Sequence, residues 1–352
     1  MTPLAHLIAA RIAATGPITL ADYMRDCLTH PDHGYYSSRD PLGVQGDFVT
    51  APEISQMFGE LLGVCLAQSW LDQGAPSQIT LAELGPGRGT LMADALRATA
   101  GVPGFHAALS LHLVETPGPL RSAQARLLPT AQWHDSVATL PEAPLYLIAN
   151  EFFDALPIRQ FIRSGDGWSE VVVGLSDGHL TLGQTTPAPL GALQHRLSDT
   201  RDGTLVELCP ALPGITGHIG GLIARHGGAA LITDYGDWRS QGDTWQALRG
   251  HAPTDPLAEP GLADLTAHVD FEALASAASP AKHTRLTRQG VFLERLGIAA
   301  RAQKLADSLS GPARAAHLAA HRRLTHPAEM GQLFKVIGLY PASATPPPGL
   351  EP

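Results

Sequence analysis

The chain has 352 residues, a formal net charge of −9 at pH 7 and 44% hydrophobic residues. This length allows one large domain with insertions, or two domains, with a substantial apolar core. The negative charge argues against broad attraction to nucleic acid, so we expect no nucleic-acid partner. No apolar run is long enough to span a bilayer, and we expect no membrane insertion.

Cys27, Cys65 and Cys209 are widely spaced, which indicates a reducing compartment and no metal cluster. The N-terminus has neither the layout of a signal peptide nor a long basic transit peptide. We therefore expect a cytoplasmic protein, or a mitochondrial matrix protein if the chain is organellar.

Apolar spacing predicts an N-terminal helical segment over residues 1–75, with Gly16-Pro17 ending its first helix. Thr19 is placed to cap the next helix, and Thr50 to cap a long helix up to Gln73. Asp47 and Thr50 are equally consistent with helix capping and with ligand contact.

The residues from Ile79 to Leu91 read as a buried strand, a glycine-rich turn and the start of a helix. Gly85, Gly87 and Gly89 lack a Cβ where the backbone turns sharply and a ligand can approach it. The first amides of the helix favour an anionic group. Glu83, near the end of the strand, can accept hydrogen bonds or face a cation.

Two ligand classes use such a turn. Dinucleotide-binding enzymes favour G-x-G-x-x-G, whereas G-x-G-x-G preceded by an acid is typical of S-adenosylmethionine (SAM) methyltransferases. An acidic residue suits the α-amino group and the sulfonium of SAM. On this motif alone, an ordinary strand-to-helix turn is a further interpretation.

Polar residues follow each of the next predicted strands. Glu115 ends the second strand, where an acid commonly accepts both ribose hydroxyls of an adenosine ligand. Asp135 is placed to meet an adenine amino group, although a solvated turn residue fits it nearly as well. Asn150 ends the fourth strand, at the edge where α/β sheets bind ligands, and we assign it to cofactor binding.

The remaining chain alternates strands and helices, which predicts a doubly wound parallel sheet. A methyltransferase-sized domain over residues 76–341 would hold a β-rich insertion at 158–203. Residues 237–270 lack clear periodicity and are predicted to form a covering loop over the reaction. The proline-rich residues 342–352 are predicted to form a disordered tail.

Six motifs follow one another along the chain in a fixed order. They are Gly46-Asp-Phe-Val-Thr-Ala-Pro-Glu-Ile-Ser-Gln-Met-Phe-Gly59, Glu83-Leu-Gly-Pro-Gly-Arg-Gly-Thr90, Asn150-Glu-Phe-Phe-Asp-Ala-Leu-Pro157, Asp234-Tyr-Gly236, Asp264-Leu-Thr-Ala-His-Val-Asp-Phe271 and Met330-Gly-Gln-Leu-Phe-Lys335. This set resembles the MidA family of class I SAM-dependent methyltransferases, which includes the mitochondrial complex I assembly factor. The resemblance implies a Rossmann-like, seven-stranded methyltransferase fold with an N-terminal helical segment and insertions.

The mitochondrial members of this family are protein arginine methyltransferases that act on the 49-kDa subunit of complex I. The resemblance therefore implies SAM as cofactor and an arginine-containing protein as substrate. A guanidinium stays protonated, so carboxylates are needed to orient it and to accept its proton. We expect Glu151 to do this first, with Asp154 and Asp264 as further catalytic candidates.

No metal is expected, because methyl transfer from SAM depends chiefly on alignment. His30 and His33 have a spacing compatible with a metal site, but turn composition favours a structural role. A capping or solvated role is also favoured for His268.

Three other functions stay open: a SAM-binding assembly factor without turnover, a nicotinamide-dependent oxidoreductase and a small-molecule methyltransferase. The sequence also leaves the oligomeric state open, and a homodimer is one arrangement that it allows.

Overall fold

The computed structural model describes residues 1–38 and 50–352, so Asp47 lies outside the described residues. The chain divides into two units. The first combines the residues up to 38 with Asp154–Leu212 and Arg239–Asp270, and the second combines residues 50–153 with Pro213–Trp238 and Phe271–Pro352.

Helices dominate the chain before residue 79, and strands and helices intermix after it. The helices are α1 (Pro3–Thr15), α2 (Leu20–Thr29), α3 (Tyr35–Ser38), α4 (Ala51–Ile54), α5 (Gln56–Asp72), α6 (Thr90–Thr99), α7 (Phe105–Ala108), α8 (Pro119–Leu127), α9 (Leu212–His226), α10 (Phe271–Ala277), α11 (Gln289–Arg295), α12 (Ile298–Ala306), α13 (Gly311–Thr325) and α14 (Met330–Leu333). The strands are β1 (Ile18–Thr19), β2 (Ile79–Leu84), β3 (Leu109–Val114), β4 (Gln132–His134), β5 (Leu145–Asn150), β6 (Arg159–Ser164), β7 (Gly167–Ser176), β8 (His179–Gln184), β9 (Leu205–Leu208), β10 (Gly228–Asp237), β11 (Gln246–Arg249), β12 (Ala252–Thr254), β13 (Asp264–Thr266), β14 (Val269–Asp270), β15 (Lys282–His283), β16 (Thr287–Arg288) and β17 (Phe334–Tyr340).

The predicted N-terminal segment is divided between the two units. The first unit holds α1 and α2, and the second holds α4 and α5. Thr19 caps α2 as predicted, because its hydroxyl oxygen accepts from the backbone N–H of Asp22 at 3.0 Å. Thr50 occupies the N-cap position of α4 without a side-chain capping bond.

The first unit contains the predicted β-rich insertion as an antiparallel sheet. Its strand order is β1-β7-β6-β9, with β8 paired to β7. The short strand β1 joins this sheet through Ile18, which pairs with Val173. Both residues are buried in an apolar core that also contains Tyr23 and Leu265.

Residues 237–270 differ from the predicted irregular loop. Within them, β11, β12 and β13 form a small antiparallel sheet in the order β12-β11-β13. Ala247 on β11 and Leu265 on β13 are 1% and 2% exposed, so the segment contributes to the core of the first unit. Strands of three or four residues are too short for a recognisable alternation of apolar and polar residues.

The second unit is built on a sheet with the order β15-β17-β10-β5-β2-β3-β4, in which β16 also pairs with β17. The strands from β4 to β10 in this order are parallel, and β17 is antiparallel to β10. All six residues of β2 and of β5 are buried, as expected for central strands covered on both faces.

Helix α5 packs closely against α6. A Cβ added at Gly63 would lie 2.6 Å from the Cα of Ala95 and a Cβ at Gly59 would lie 2.7 Å from the carbonyl oxygen of Leu91, so only glycine permits this approach. The first turn of α6 is thereby held against α5. This positions the loop that precedes it.

The predicted disordered tail is packed against the second unit. Leu350 is 8% exposed and belongs to the main apolar core. The carbonyl oxygen of Glu351 accepts from the backbone N–H of Arg285 at 2.8 Å. A single apolar residue within a proline-rich stretch anchors it, which composition alone does not reveal. No helix in the described ranges combines the length and apolarity needed to cross a membrane.

Candidate functional site

The parallel strands of the second unit end at one edge of the sheet. Leu84 is paired in register with Val114 and with Ala149, and Val114 is paired with His134. The residues that follow these strands therefore emerge side by side. They include most of the predicted cofactor-binding residues.

The glycine turn after β2 has the conformation that its sequence predicts. Gly85, Gly87 and Gly89 have φ angles of 59°, 54° and 86°, a left-handed region that is strained for residues with a Cβ. A Cβ at Gly85 would meet the ring of Phe152 at 3.0 Å. Helix α6 begins directly after the turn and has no side-chain cap, which leaves its first amides to other partners.

Glu83 is buried beneath this turn, with 3% of its surface exposed. Burial raises the pKa of its carboxyl to about 8, and the negative charge of Glu115 adds to this effect. Its Oε2 atom has no hydrogen-bond partner among the described residues. A buried carboxyl in this state favours a cationic or hydrogen-bond-donating ligand.

Glu115 follows β3, and its side chain is held in place. Its Oε1 atom accepts from the backbone N–H of Thr116 at 2.8 Å, and its Oε2 atom accepts from the side-chain amide of Gln124 at 3.2 Å. Burial raises the pKa of the carboxyl, while these hydrogen bonds oppose the shift. The carboxylate is thus preorganised as an acceptor at the sheet edge.

Gln124 on α8 is a site residue that sequence reasoning missed. It is fully buried, and its Nε2 atom donates to the carbonyl oxygen of Gly87 at 2.7 Å. Its Oε1 atom accepts from the indole N–H of Trp133 at 2.8 Å. One pattern in the sequence could have identified it: Gln124 follows Leu120 by one helical turn and so lies on the buried face of an amphipathic helix.

A second connection that the sequence did not predict joins two of its motifs. The hydroxyl of Thr90 donates to Oε1 of Glu53 at 2.7 Å, and the guanidinium of Arg88 lies 3.7 Å from Oε2 of the same carboxylate. The Pro-Glu sequence at the start of α4 therefore supports the glycine turn.

Asp135 follows β4, as predicted, and its side chain is 73% exposed. It forms an ion pair with Arg121, whose guanidinium also donates to the carbonyl oxygens of Glu115 and His134. Arg121 thereby connects the ends of β3 and β4 by hydrogen bonds. Contact of Asp135 with adenine stays a prediction.

Asn150 is the last residue of β5, and Glu151 follows it directly. The side-chain amide of Asn150 donates to Oε1 of Glu151 at 3.0 Å, and the same oxygen accepts from the backbone N–H of Ala51 at 3.2 Å. The Oδ1 atom of Asn150 is buried and has no partner within the described ranges. Glu151 has a φ of 50°, which is unusual for a residue other than glycine.

Asp154 and Asp264 belong to the first unit, whereas Glu151 belongs to the second. Both aspartates are 5% exposed. The hydroxyl of Tyr36 donates to Oδ1 of Asp264 at 2.8 Å. Burial raises the pKa of Tyr36 well above its usual range, and the charges of Asp264 and Asp154 raise it further. The first unit therefore brings these two candidates together around one tyrosine.

The structure describes the histidines that the sequence singled out. The rings of His30 and His33 stack with their centroids 5.2 Å apart, and the backbone N–H of His268 donates to the hydroxyl of Thr244 at 2.8 Å. Over residues 1–38 and 50–352, no group of three or more His, Cys, Asp or Glu side chains is arranged to hold a metal ion.

The residues of the second unit fit SAM. The turn exposes backbone at three left-handed glycines. The buried Glu83 can face the α-amino group, and Glu115 stands where a ribose is expected. The buried Oδ1 atom of Asn150 adds an acceptor at the same edge. Together, this sheet and this edge define a class I SAM-dependent methyltransferase.

Comparison with known proteins gives the same result. The family model Methyltransf_28, which describes S-adenosyl-L-methionine-dependent methyltransferases, matches residues 61–290. The mitochondrial protein arginine methyltransferase NDUFAF7 of Danio rerio is 38% identical over 365 residues, covering 96% of this chain and 86% of the relative. The NDUFAF7 protein of Homo sapiens is 36% identical over 374 residues, covering 97% of this chain and 84% of the relative.

A solved structure supports the cofactor as well as the fold. A protein from Burkholderia thailandensis that was solved with bound S-adenosyl-homocysteine has a TM-score of 0.82 and 30% identity. The match covers 96% of this chain and 91% of the other. This chain belongs to the Methyltransf_28 family, and SAM is its cofactor.

Proposed function

We propose that this chain transfers the methyl group of SAM to an arginine side chain of a protein. The relatives from Danio rerio and Homo sapiens are named protein arginine methyltransferases and match 96% and 97% of this chain. The observation in the structure that carries the proposal is the placement of the Glu151 carboxylate.

Glu151 is held in a strained backbone conformation next to the cofactor turn. Its φ of 50° is the kind of outlier that persists where the surrounding structure enforces it, often at functional sites. Its carboxylate is oriented by Asn150 and by the backbone N–H of Ala51. Because β5 adjoins β2, the backbone at the end of β5, which Glu151 follows, lies about one strand spacing, ~5 Å, from the start of the glycine turn.

This placement suits a guanidinium acceptor. SAM supplies a methyl carbon that is activated by the positive sulfonium. A guanidinium nitrogen of the substrate forms the new C–N bond in line with the breaking C–S bond, and the electron pair of that bond remains on sulfur. Glu151 orients the guanidinium by a charge-assisted hydrogen bond and accepts the proton that the nitrogen loses.

Asp154 and Asp264 remain further catalytic candidates in this proposal. Their burial and their shared neighbour Tyr36 support a role for an acidic centre in the first unit. A substitution of each residue by asparagine keeps the side-chain shape and removes the charge, which separates their roles from that of Glu151.

The test is transfer of a deuterated methyl group from SAM into a proteome from cells that lack the protein. Purified wild-type protein and Glu151→Gln are added in parallel, and modified sites are mapped by mass spectrometry. Deuterated methylarginine that depends on the wild-type protein would support the proposal. Transfer only to small molecules would identify a small-molecule methyltransferase instead, and SAM binding without any transfer would identify a non-catalytic assembly factor.

The 49-kDa subunit of complex I, which the family resemblance implies, is the first acceptor to test. Both relatives are named mitochondrial. For this chain, a mitochondrial matrix location and a cytoplasmic location are both proposals, and a homodimer is a prediction that gel filtration with light scattering can test.

A further inference from the structure

A cavity of about 660 Å³ opens in the second unit beside the end of β10 and the start of β17. Its lining includes the cationic residues Arg285, Arg288 and Lys335, together with Asp237 and the half-buried Trp238. The whole chain carries a formal charge of −9. The three cationic residues around this cavity therefore contrast with the negative charge of the protein as a whole.

Two of these cations face each other across a pair of strands. Arg288 on β16 is the direct antiparallel partner of Lys335 on β17. Like charges in directly opposed positions destabilise a sheet, unless an anion is shared by them. Burial lowers the pKa of Lys335, the charge of Arg288 lowers it further, and Asp237 opposes this shift.

Asp237 is the anionic residue that acts on Lys335 electrostatically, but no carboxylate of the described residues lies within ion-pair distance of Lys335. The Nζ atom of Lys335 donates to the backbone carbonyl oxygens of Gly236, Gln332 and Leu333 at 3.0–3.1 Å, which fixes its charge at the cavity. Within the part of the chain that the structure describes, Arg288 has no ion pair with a carboxylate.

Arg285 is only loosely paired with a carboxylate. It is 3.9 Å from Glu351, whose carboxylate makes a closer contact of 2.6 Å with Arg295. Arg285 and Arg288 are both exposed, so their guanidinium groups can take a planar carboxylate in two-point contact.

The cavity lies at the same sheet edge as Glu151. Thr233 on β10 pairs with Asn150, and Tyr235 on β10 pairs with Phe334, the first residue of β17. Arg288 is therefore three strand spacings from β5, or about 14 Å. An extended peptide covers this distance in roughly four residues, since each residue advances by about 3.3 Å.

We propose that this cavity binds an acidic side chain of the protein substrate, roughly three to six residues from the methylated arginine. The inference rests on the proposed function, and it adds a requirement on the substrate sequence. Arg288 and Arg285 contact the substrate carboxylate, and Lys335 contributes a fixed positive charge.

The first experiment measures binding without methyl transfer. Protein labelled with ¹⁵N-arginine is titrated with N-acetyl-glutamic acid amide, and with N-acetyl-glutamine amide as the neutral comparison. The Arg288 Nε–Hε signal, assigned by its loss in Arg288→Gln, should shift with the acid and not with the amide. An unshifted signal would overturn the proposal. Inorganic phosphate that binds more tightly and displaces the acid would also overturn the assignment to a substrate side chain.

The second experiment measures selectivity in methyl transfer. Peptides with one arginine carry a glutamate or a glutamine three to six residues away on either side. The wild-type protein should prefer glutamate at one of these distances by about 10-fold in kcat/KM, the scale of one charge-assisted hydrogen bond. Arg288→Gln should remove this preference by lowering the kcat/KM of the glutamate peptides, and Arg288→Glu should shift the preference to peptides with lysine at that distance.

Arg314→Gln, at an exposed position on α13, is the matched control and should keep the wild-type preference. An equal preference in Arg288→Gln, or none in the wild-type protein, would overturn the subsite. If no arginine peptide is methylated by any variant, the proposed function fails in this assay, while the Arg288 titration still decides whether the cavity binds the acid.

Discussion

The side-chain amide of Gln124 donates to the carbonyl oxygen of Gly87 at 2.7 Å, and this bond links helix α8 to the middle of the cofactor turn. The same amide nitrogen contacts Glu115 at 3.2 Å. One buried side chain therefore sets the position of the turn relative to the acid that is expected to hold the ribose. We therefore expect Gln124 to act as a positioning residue for SAM.

Gln124→Leu keeps the side-chain size and removes both donors. We expect SAM affinity to fall by about 10-fold or more and the free energy of unfolding to fall by about 1–3 kcal/mol, because buried polar partners lose their hydrogen bonds. Isothermal titration calorimetry and denaturant unfolding measure the two effects. Gln303→Leu, at an exposed position on α12, is the control. Unchanged SAM affinity in Gln124→Leu would show that the turn holds its position without this bond.

Gly87→Val places a branched side chain at a φ of 54°, where we expect the backbone to approach the cofactor. The left-handed conformation costs a residue with a Cβ about 1–2 kcal/mol, and the side chain also blocks the approach. SAM affinity should fall below detection by calorimetry. Gly165 has a similar φ of 58° in a hairpin turn with open space around it. The control variant Gly165→Val should therefore lose stability but keep its affinity for SAM. Equal SAM affinity in the two variants would contradict the assigned cofactor turn.

Glu83 predicts a pH dependence of both stability and cofactor binding. Its folded-state pKa is raised to about 8 from an ordinary value of 4.5, so the folded state holds an extra proton between these values. The contribution of Glu83 to the free energy of unfolding therefore falls as pH rises from about 4.5 to 8. Glu83→Gln should raise the melting temperature of the cofactor-free protein more at pH 8.5 than at pH 5.

The affinity for SAM should change with pH in the direction opposite to the stability. A cationic α-amino group favours the ionised carboxylate, so binding releases a proton from Glu83 and affinity rises towards pH 8. Glu83→Gln should bind SAM about 10-fold more weakly at pH 8 and should lose most of this pH dependence. Parallel pH profiles for the wild-type protein and the variant would rule out contact between Glu83 and the cofactor amine.

Two substitutions separate the charge of Glu151 from its backbone strain. Glu151→Gln should reduce methyl transfer by about 10²-fold or more with little change in SAM affinity, a loss on the scale of general acid–base catalysis. Glu151→Gly should also be inactive but at least as stable as the wild-type protein, because glycine adopts a φ of 50° without strain. Asp177→Gly relieves the same φ of 50° in an exposed turn and should retain full activity. Full activity in Glu151→Gln would move the catalytic role to another residue.

Hydrogen exchange tests the segment that the sequence predicts as a covering loop. Strand β11 is paired on both sides, and the buried Glu207 accepts from the backbone N–H of Thr244 at 2.9 Å. The amides of residues 246–249 should therefore be protected from exchange in the free protein. Residues 255–263 contain no strand or helix, so any closure of the segment on substrate should slow exchange mainly there. Fast exchange of 246–249 without ligand would show that the whole segment opens.

Features set by local chain geometry could be predicted from the sequence. The turn at Gly85, Gly87 and Gly89 needs left-handed backbone, and the residues after each parallel strand must meet at one sheet edge. This reasoning predicts Glu115 and Asn150 at that edge, and the register of β2 with β3 and β5 agrees.

Features that depend on partners distant in sequence could not be predicted. Gln124 contacts Gly87 across 37 residues, and Glu53 contacts Thr90 across the same separation. Leu350 packs into the apolar core of the second unit, whose other members lie far from it in the sequence. Neither a polar residue in a helix nor an apolar residue in a proline-rich stretch indicates its partner.

The most direct test of protein arginine methylation is amino-acid analysis of an acceptor protein after incubation with this chain and SAM carrying a ³H-methyl group. The acceptor is the protein that proteome labelling identifies, and Glu151→Gln and Gly87→Val are run beside the wild-type chain. The proposed function predicts that the label elutes with methylarginine after acid hydrolysis, and that both variants lose most of it. Label that elutes with methyllysine or another product, or that stays equal in Glu151→Gln, would contradict it.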